Sequence, residues 1–223
     1  MKNIKLLIVL FISGFAVAQN PRVQDVGDFN EVKVFDRMKV NLIKADENKV
    51  VISGQDIDDI ELINKDGLLK IRMNIDKIFD GDHTFVEVHY KYLNVIDGNE
   101  GAEIVSNELI EQDRITLKSQ EGAHIKAGLK VDFVDMRAVT GGILEVSGTA
   151  TKQKIEVNTG GIFEGRDLHT EETEVRVQAG GEANIYASKL ADVKIRAGGD
   201  VRIYGDPEEV LKDNFIGGRI KVM

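Results

Sequence analysis

The chain has no cysteine and no tryptophan, and only two prolines in 223 residues. Without cysteine there is no disulfide scaffold, no thiolate-bound zinc or iron–sulfur cluster and no thiol nucleophile. Basic residues are also in the minority: 29 lysines and arginines face 38 aspartates and glutamates, a net charge of −9. Such a chain lacks the positive footprint that phosphate backbones require, which argues against nucleic acid as a partner. Its 42% hydrophobic content, in turn, is too high for a disordered chain.

Long apolar runs are scarce, with one exception at the start. Lys2 and Lys5 precede an apolar stretch from Leu6 to Val17, and Ala16-Val17-Ala18 has the small-x-small pattern of a cleavage site. A membrane anchor is the alternative reading, but the stretch is about a dozen residues where roughly 20 are needed to span a bilayer. Residues 1–18 are therefore expected to form a signal peptide. Gln19 then opens a mature chain with 27 basic and 38 acidic residues, net −11, and no further hydrophobic segment. The expected location is the periplasm, the cell surface or the secreted fraction, without a transmembrane segment. A thiol-free chain suits an oxidising compartment, and no cysteine is available for a lipid anchor.

Glycine-marked turns recur along residues 93–223: Asn99-Glu100-Gly101, Gln120-Glu121-Gly122, Thr140-Gly141-Gly142, Thr159-Gly160-Gly161, Ala179-Gly180-Gly181 and Ala197-Gly198-Gly199. A first inward series follows them, Ala102, Ala123, Leu144, Phe163, Ala183 and Val201, with Ile104, Ile125, Val146, Gly165, Ile185 and Ile203 two residues later. Before the turns lie Leu93/Val95, Ile115/Leu117, Val134/Met136, Ile155/Val157, Val175/Val177 and Val193/Ile195, and a looser set is Leu109, Leu129, Ala150, Leu168 and Leu190. Alternation with period two marks half-buried strands. A repeat near twenty residues with a fixed glycine corner marks a coil of stacked rungs. An antiparallel sandwich or barrel would also space its turns regularly, but preservation of the pattern over six repeats favours the solenoid. One rung cannot bury enough surface alone, so each needs neighbours above and below.

The expected fold is all-β: a solenoid of about six rungs of roughly 20 residues over 93–223, preceded by a less regular strand-rich section over 19–92. No linker separates them, so 19–223 reads as a single unit. Strands are expected at Glu31–Phe35, Lys39–Ile43, Lys49–Ser53, Leu68–Met73, Thr84–Tyr90 and Arg219–Val222, with a helical turn over Glu208–Asp213.

Several segments together carry a family resemblance. They are Val26 to Val32 (VGDFNEV), Lys39-Val-Asn-Leu-Ile43, Lys49-Val-Val-Ile52, Asp66-Gly67-Leu-Leu-Lys-Ile-Arg72, the glycine-turn rungs and the ending Gly199 to Pro207 (GDVRIYGDP). In these the sequence resembles the head GIN domain family of auto-transporter adhesins of bacterial envelopes. The resemblance covers essentially the whole mature chain. It implies a right-handed β-helix-like fold and an adhesive role in the envelope, and supplies no catalytic residues. No translocator barrel follows the rungs in this sequence, so self-transport is not expected.

Stacking places outward side chains in columns about 4.8 Å apart. One expected column is Glu103, His124, Glu145, Glu164, Asn184 and Arg202. Its Glu145–Glu164 pair has a spacing that could hold a cation or serve a retaining glycosidase, whereas two solvated glutamates would splay into water. A second, Thr116, Asp135, Glu156, Arg176 and Lys194, reads as an exposed charge ladder. A third ends in Arg166, Tyr186 and Tyr204, an amphipathic platform for a sugar ring or a protein partner, or else a cover for the solenoid end. The four histidines show no metal-ligand spacing, Asp56–Glu61 suits an amphipathic turn, and the Thr-Gly-Gly turns lack the lysine and helix of a phosphate loop. No catalytic residue, metal or cofactor is expected. The leading reading is a non-enzymatic exported envelope protein presenting a rigid face to a glycan or surface protein. A carbohydrate-active enzyme using Glu145 and Glu164, or a purely structural or regulatory envelope component, is the alternative.

Overall fold

The computed structural model describes residues 20–223; the expected signal peptide lies outside them. The first half of the described chain contains β1 (Arg22–Asp25), β2 (Glu31–Val34), β3 (Lys39–Lys44), β4 (Lys49–Gly54), β5 (Ile60–Lys65), β6 (Leu68–Met73), β7 (Thr84–Tyr90) and β8 (Val95–Gly98). Four long strands follow, β9 (Glu103–Gln120), β10 (His124–Val139), β11 (Ile143–Asn158) and β12 (Ile162–Gln178). Five shorter ones close the stack, β13 (Glu182–Tyr186), β14 (Leu190–Arg196), β15 (Asp200–Tyr204), β16 (Glu209–Asn214) and β17 (Arg219–Val222).

Each long strand is nearly one whole lap. The corner between laps is a pair of left-handed residues, a non-glycine then a glycine: Glu100-Gly101, Glu121-Gly122, Thr140-Gly141 and Thr159-Gly160 all have φ between 48° and 76°. A second glycine is needed where laps approach most closely. A Cβ on Gly142 would lie 2.1 Å from the Ser119 carbonyl oxygen, and one on Gly161 2.1 Å from that of Ala138.

The laps pair in parallel, β9 with β10, β10 with β11 and β11 with β12, then β12 with β13 and β14, β13 with β15 and β14 with β16, and β15 with β17. The result is a β-solenoid of about seven turns, one more than expected. Part of the extra turn comes from the first section. There β2 pairs in parallel with β8 and β3 with β9, so Asn41 stands over Val105 in the same columns. Only β1, β4 and β5 run antiparallel to their partners, covering the start of the stack.

Alternation puts an aliphatic core inside. Ile104, Ile125, Leu144 and Phe163 form one vertical file; Leu117, Met136, Ile155 and Val175 form another, and all are buried. The core is one contiguous cluster from Phe29 to Ile203. One of its polar nodes is formed by Gln153, Thr170 and Thr173, which are buried and all donate to the Tyr186 carbonyl oxygen, at 3.0, 2.5 and 2.7 Å.

The observed register corrects several expected columns. Ala102 and Ala123 are equivalent to Gly142, not Leu144, so the first-rung series slips by two residues there. Glu103 and His124 therefore stand over Ile143, while Val105, Lys126, Glu145, Glu164, Asn184 and Arg202 form the true column. The charge ladder divides likewise into Thr116–Asp135–Lys154 and Arg137–Glu156–Arg176–Lys194. Ile96 and Ile110 take the inward places expected for Val95 and Leu109, and Leu109 is 53% exposed. Glu209–Asn214 is a strand rather than a helical turn, because the open edge of β14 supplies a ladder that a six-residue helix could not match. Its inward positions, over Val193 and Ile195, are held by Lys212 and Asn214.

Candidate ligand-binding face

Two bulges shape the outward surface of the long strands. Between Ala127 and Gly128 the pairing of β10 jumps from Ser106 to Leu109, so β9 carries Asn107 and Glu108 as extra residues. Ser106 Oγ donates to the Glu108 carbonyl at 2.9 Å, and Asn107 Nδ2 donates to Asn41 Oδ1 at 3.0 Å, which fixes this lip against β3. On β12 one extra residue enters at Gly165–Arg166, between the pairs Glu145–Glu164 and Ser147–Asp167. Bulges bend a strand and re-aim its side chains. Between these two lips the unbulged β10 and β11 form the floor of a groove of about 720 Å³. Ala127, Gly128, Val146 and Ser147 lie along the floor; Lys126, Glu145 and Glu164 line it. Strand irregularity rather than a long loop builds this cleft.

Glu145 and Glu164 face each other in adjacent laps as expected, and each has its own partner. Lys126 Nζ lies 2.5 Å from Glu145 Oε1, and His124 Nε2 lies 3.6 Å from Glu145 Oε2. Asn184 Nδ2 donates to Glu164 Oε2 at 2.7 Å. Each carboxylate is thus engaged by a neighbouring polar side chain on the outward face.

Arg166 lies in both parts of this face. It lines the groove, and its guanidinium sits 4.8 Å from the centroid of the Tyr204 ring. Tyr186 and Tyr204 are register partners on β13 and β15. They do not stack on each other. Tyr186 stacks on His169 instead, with centroids 4.4 Å apart and planes 2° from parallel. His169 was considered in the sequence only as a metal ligand; it stands less than one full repeat before Tyr186, so the column pattern did not pair them. The structure therefore brings Arg166, Tyr186 and Tyr204 together at one end of the groove and adds His169 to them.

Elsewhere, Asp56–Glu61 contains a short 3₁₀ turn, Ile57–Asp59, with Ile57 and Ile60 buried. Among the described residues no group of three His, Asp or Glu side chains converges as a metal site, and no helix is long and apolar enough to cross a membrane.

Solved structures share this fold. One from Bacteroides fragilis, described as a putative adhesin, superposes with a TM-score of 0.82 at 18% identity, covering 92% of this chain and 96% of its own. One from Parabacteroides distasonis, described as a putative lipid binding protein, gives 0.68 at 17% identity with the same coverage. A putative adhesin from Parabacteroides merdae gives 0.61 at 14% identity, covering 92% and 95%. No curated protein matches the chain. One family model matches residues 28–207, from β2 through β15 and including all six glycine-marked turns, and the chain belongs to that family, described as "Putative auto-transporter adhesin, head GIN domain".

Proposed function

We propose that the protein is a non-enzymatic, exported component of the cell envelope that binds a surface glycan through Arg166, Tyr186 and Tyr204. The observation that carries this reading is the double placement of Arg166, in the groove wall and over the Tyr204 ring. It joins a concave polar surface to two amphipathic rings. Half-buried aromatic rings with a partly free edge, flanked by hydrogen-bonding side chains, suit the alternating apolar and hydroxylated faces of a sugar. The adhesin family and the adhesin descriptions of two structural neighbours support a binding role over catalysis. Export rests on the sequence of residues 1–18.

A glycan array probed with residues 19–223 tests the reading. Tyr186→Ala and Tyr204→Ala should each weaken the strongest signals by about tenfold. Binding unchanged by both substitutions removes the tyrosine site. Capture of a surface protein with no glycan signal would instead make the ligand a polypeptide. Sugar release abolished by Glu164→Gln would restore the enzymatic reading.

A further inference from the structure

We propose that the groove and the Tyr186–Tyr204 pair form one continuous track for a neutral polysaccharide chain running across the strands, from the Asn107–Leu109 lip to Tyr204. This rests on the tyrosines being a binding surface and adds the length, direction and charge class of what they bind.

Geometry sets the length. Six strands, β9, β10, β11, β12, β13 and β15, lie side by side under the track, so at about 4.8 Å per strand it extends roughly 24 Å. That is room for several sugar units rather than one. Hydrogen-bonding groups recur along it at the strand spacing: Asn107, Lys126, Glu145, Glu164 and Asn184 each present a polar head on successive laps.

Backbone pairing separates a polysaccharide from an extended peptide. A peptide gains affinity by adding a strand to an open sheet edge. Here β10, β11 and β12 are each paired on both sides, so the floor offers no unpaired N–H or C=O ladder. Recognition falls to side-chain carboxylates, amides and a hydroxyl, the groups that bind sugar hydroxyls.

Charge sets the class. Four carboxylates, Glu108, Glu145, Glu164 and Asp167, line the groove against two cations, Lys126 and Arg166, with Arg202 a third on β15 at the far end of the track. Lys126 is already paired with Glu145, and Arg166 lies over Tyr204. A uronate or sulfated chain would meet like charge from the carboxylates that line the groove, at a cost that a neutral chain avoids.

Calorimetric titration of residues 19–223 tests the track, using neutral disaccharides and hexasaccharides of glucose, mannose and N-acetylglucosamine, with oligogalacturonates of the same lengths. Neutral hexasaccharides should bind at least about tenfold more tightly than disaccharides, and oligogalacturonates more weakly than either. Ser147→Trp, a substitution on an exposed floor position, should abolish the length gain while leaving the melting temperature unchanged. Equal affinity for both lengths, preference for the acidic series, or a length gain that survives Ser147→Trp overturns the track, as does failure of every neutral sugar to bind. A length gain sensitive to Ser147→Trp but indifferent to Tyr186→Ala and Tyr204→Ala would overturn the tyrosine reading alone. Tyrosine-dependent binding without a length gain would overturn the track alone.

Discussion

The ring of Phe163 occupies the space that a side chain on residue 165 would need: a Cβ built on Gly165 would lie 2.3 Å from Cε1 and 2.4 Å from Cζ of that ring. The bulge that carries Arg166 toward Tyr204 therefore depends on an absent methyl group two residues from a buried aromatic. Gly165→Ala should destabilise the protein by about 1–3 kcal/mol through overpacking. Urea denaturation of Gly165→Ala, Phe163→Leu and the double variant should show favourable coupling. Strict additivity would mean that the ring does not constrain the bulge.

Leu144 is buried and its neighbour Glu145 faces out, paired with Lys126. Leu144→Asp would place an unpaired carboxylate in the aliphatic file and should cost more than about 4 kcal/mol. Glu145→Ala removes one exposed ion pair and should change stability by less than about 1 kcal/mol. Equal tolerance in urea melts would contradict the assigned faces.

Gln153 Oε1 has no hydrogen-bond partner inside the core, while its amide nitrogen shares the Tyr186 carbonyl with two threonine hydroxyls. Gln153→Met keeps the volume, removes the orphaned acceptor and leaves the carbonyl satisfied, so stability should change by less than about 1 kcal/mol. Gln153→Ala empties the space and should cost about 2–4 kcal/mol. A large loss for Gln153→Met in thermal denaturation would show that the amide nitrogen alone holds Tyr186.

Glu100 sits at a corner where burial, followed by the carboxylates of Asp36 and Glu121, raises its pKa above the ordinary glutamate value. Asp36 is fixed there because its carboxylate accepts the backbone N–H groups of Met73 and Phe79, at 2.9 and 3.1 Å. The folded state thus holds the Glu100 proton more tightly than the unfolded chain does, and this stabilising contribution is lost as pH rises above the ordinary glutamate value. Glu100→Gln should be more stable than the natural chain at neutral pH, with the difference shrinking toward acid. Parallel stability curves across that range would show that the corner carboxylates do not interact.

The faces of the strands were legible because period-two alternation is robust, but the vertical register was not, for the same reason. A slip of two residues at Gly142 leaves every inward residue inward and every outward residue outward. It changes only who stands above whom. Glu145–Glu164 and Tyr186–Tyr204 survived because both pairs lie wholly beyond the slip, whereas His124 and Asp135 kept their partners on β9 but were assigned the wrong ones on β11. The bulges were invisible for a related reason: Asn107-Glu108 and Gly165-Arg166 add residues without a composition of their own, and their effect, the groove, arises from strand pairing. Gln153 and Thr173 interrupt an apolar series without any signal of their purpose in the sequence, and the Tyr186 carbonyl they donate to explains them. Local propensity failed at Glu209–Asn214, where a neighbouring strand edge decided the outcome.

The lap ending in β16 sets Lys212 and Asn214 over Val193 and Ile195. A polypeptide laid against β16 would bring its greasy interior onto an ammonium and an amide, so strand addition along that edge is discouraged, whereas β17 beside it keeps Ile220 and Val222 at its inward places. Replacing that pair with valines is accordingly the simplest way to turn a finite column into a tile for longer assemblies.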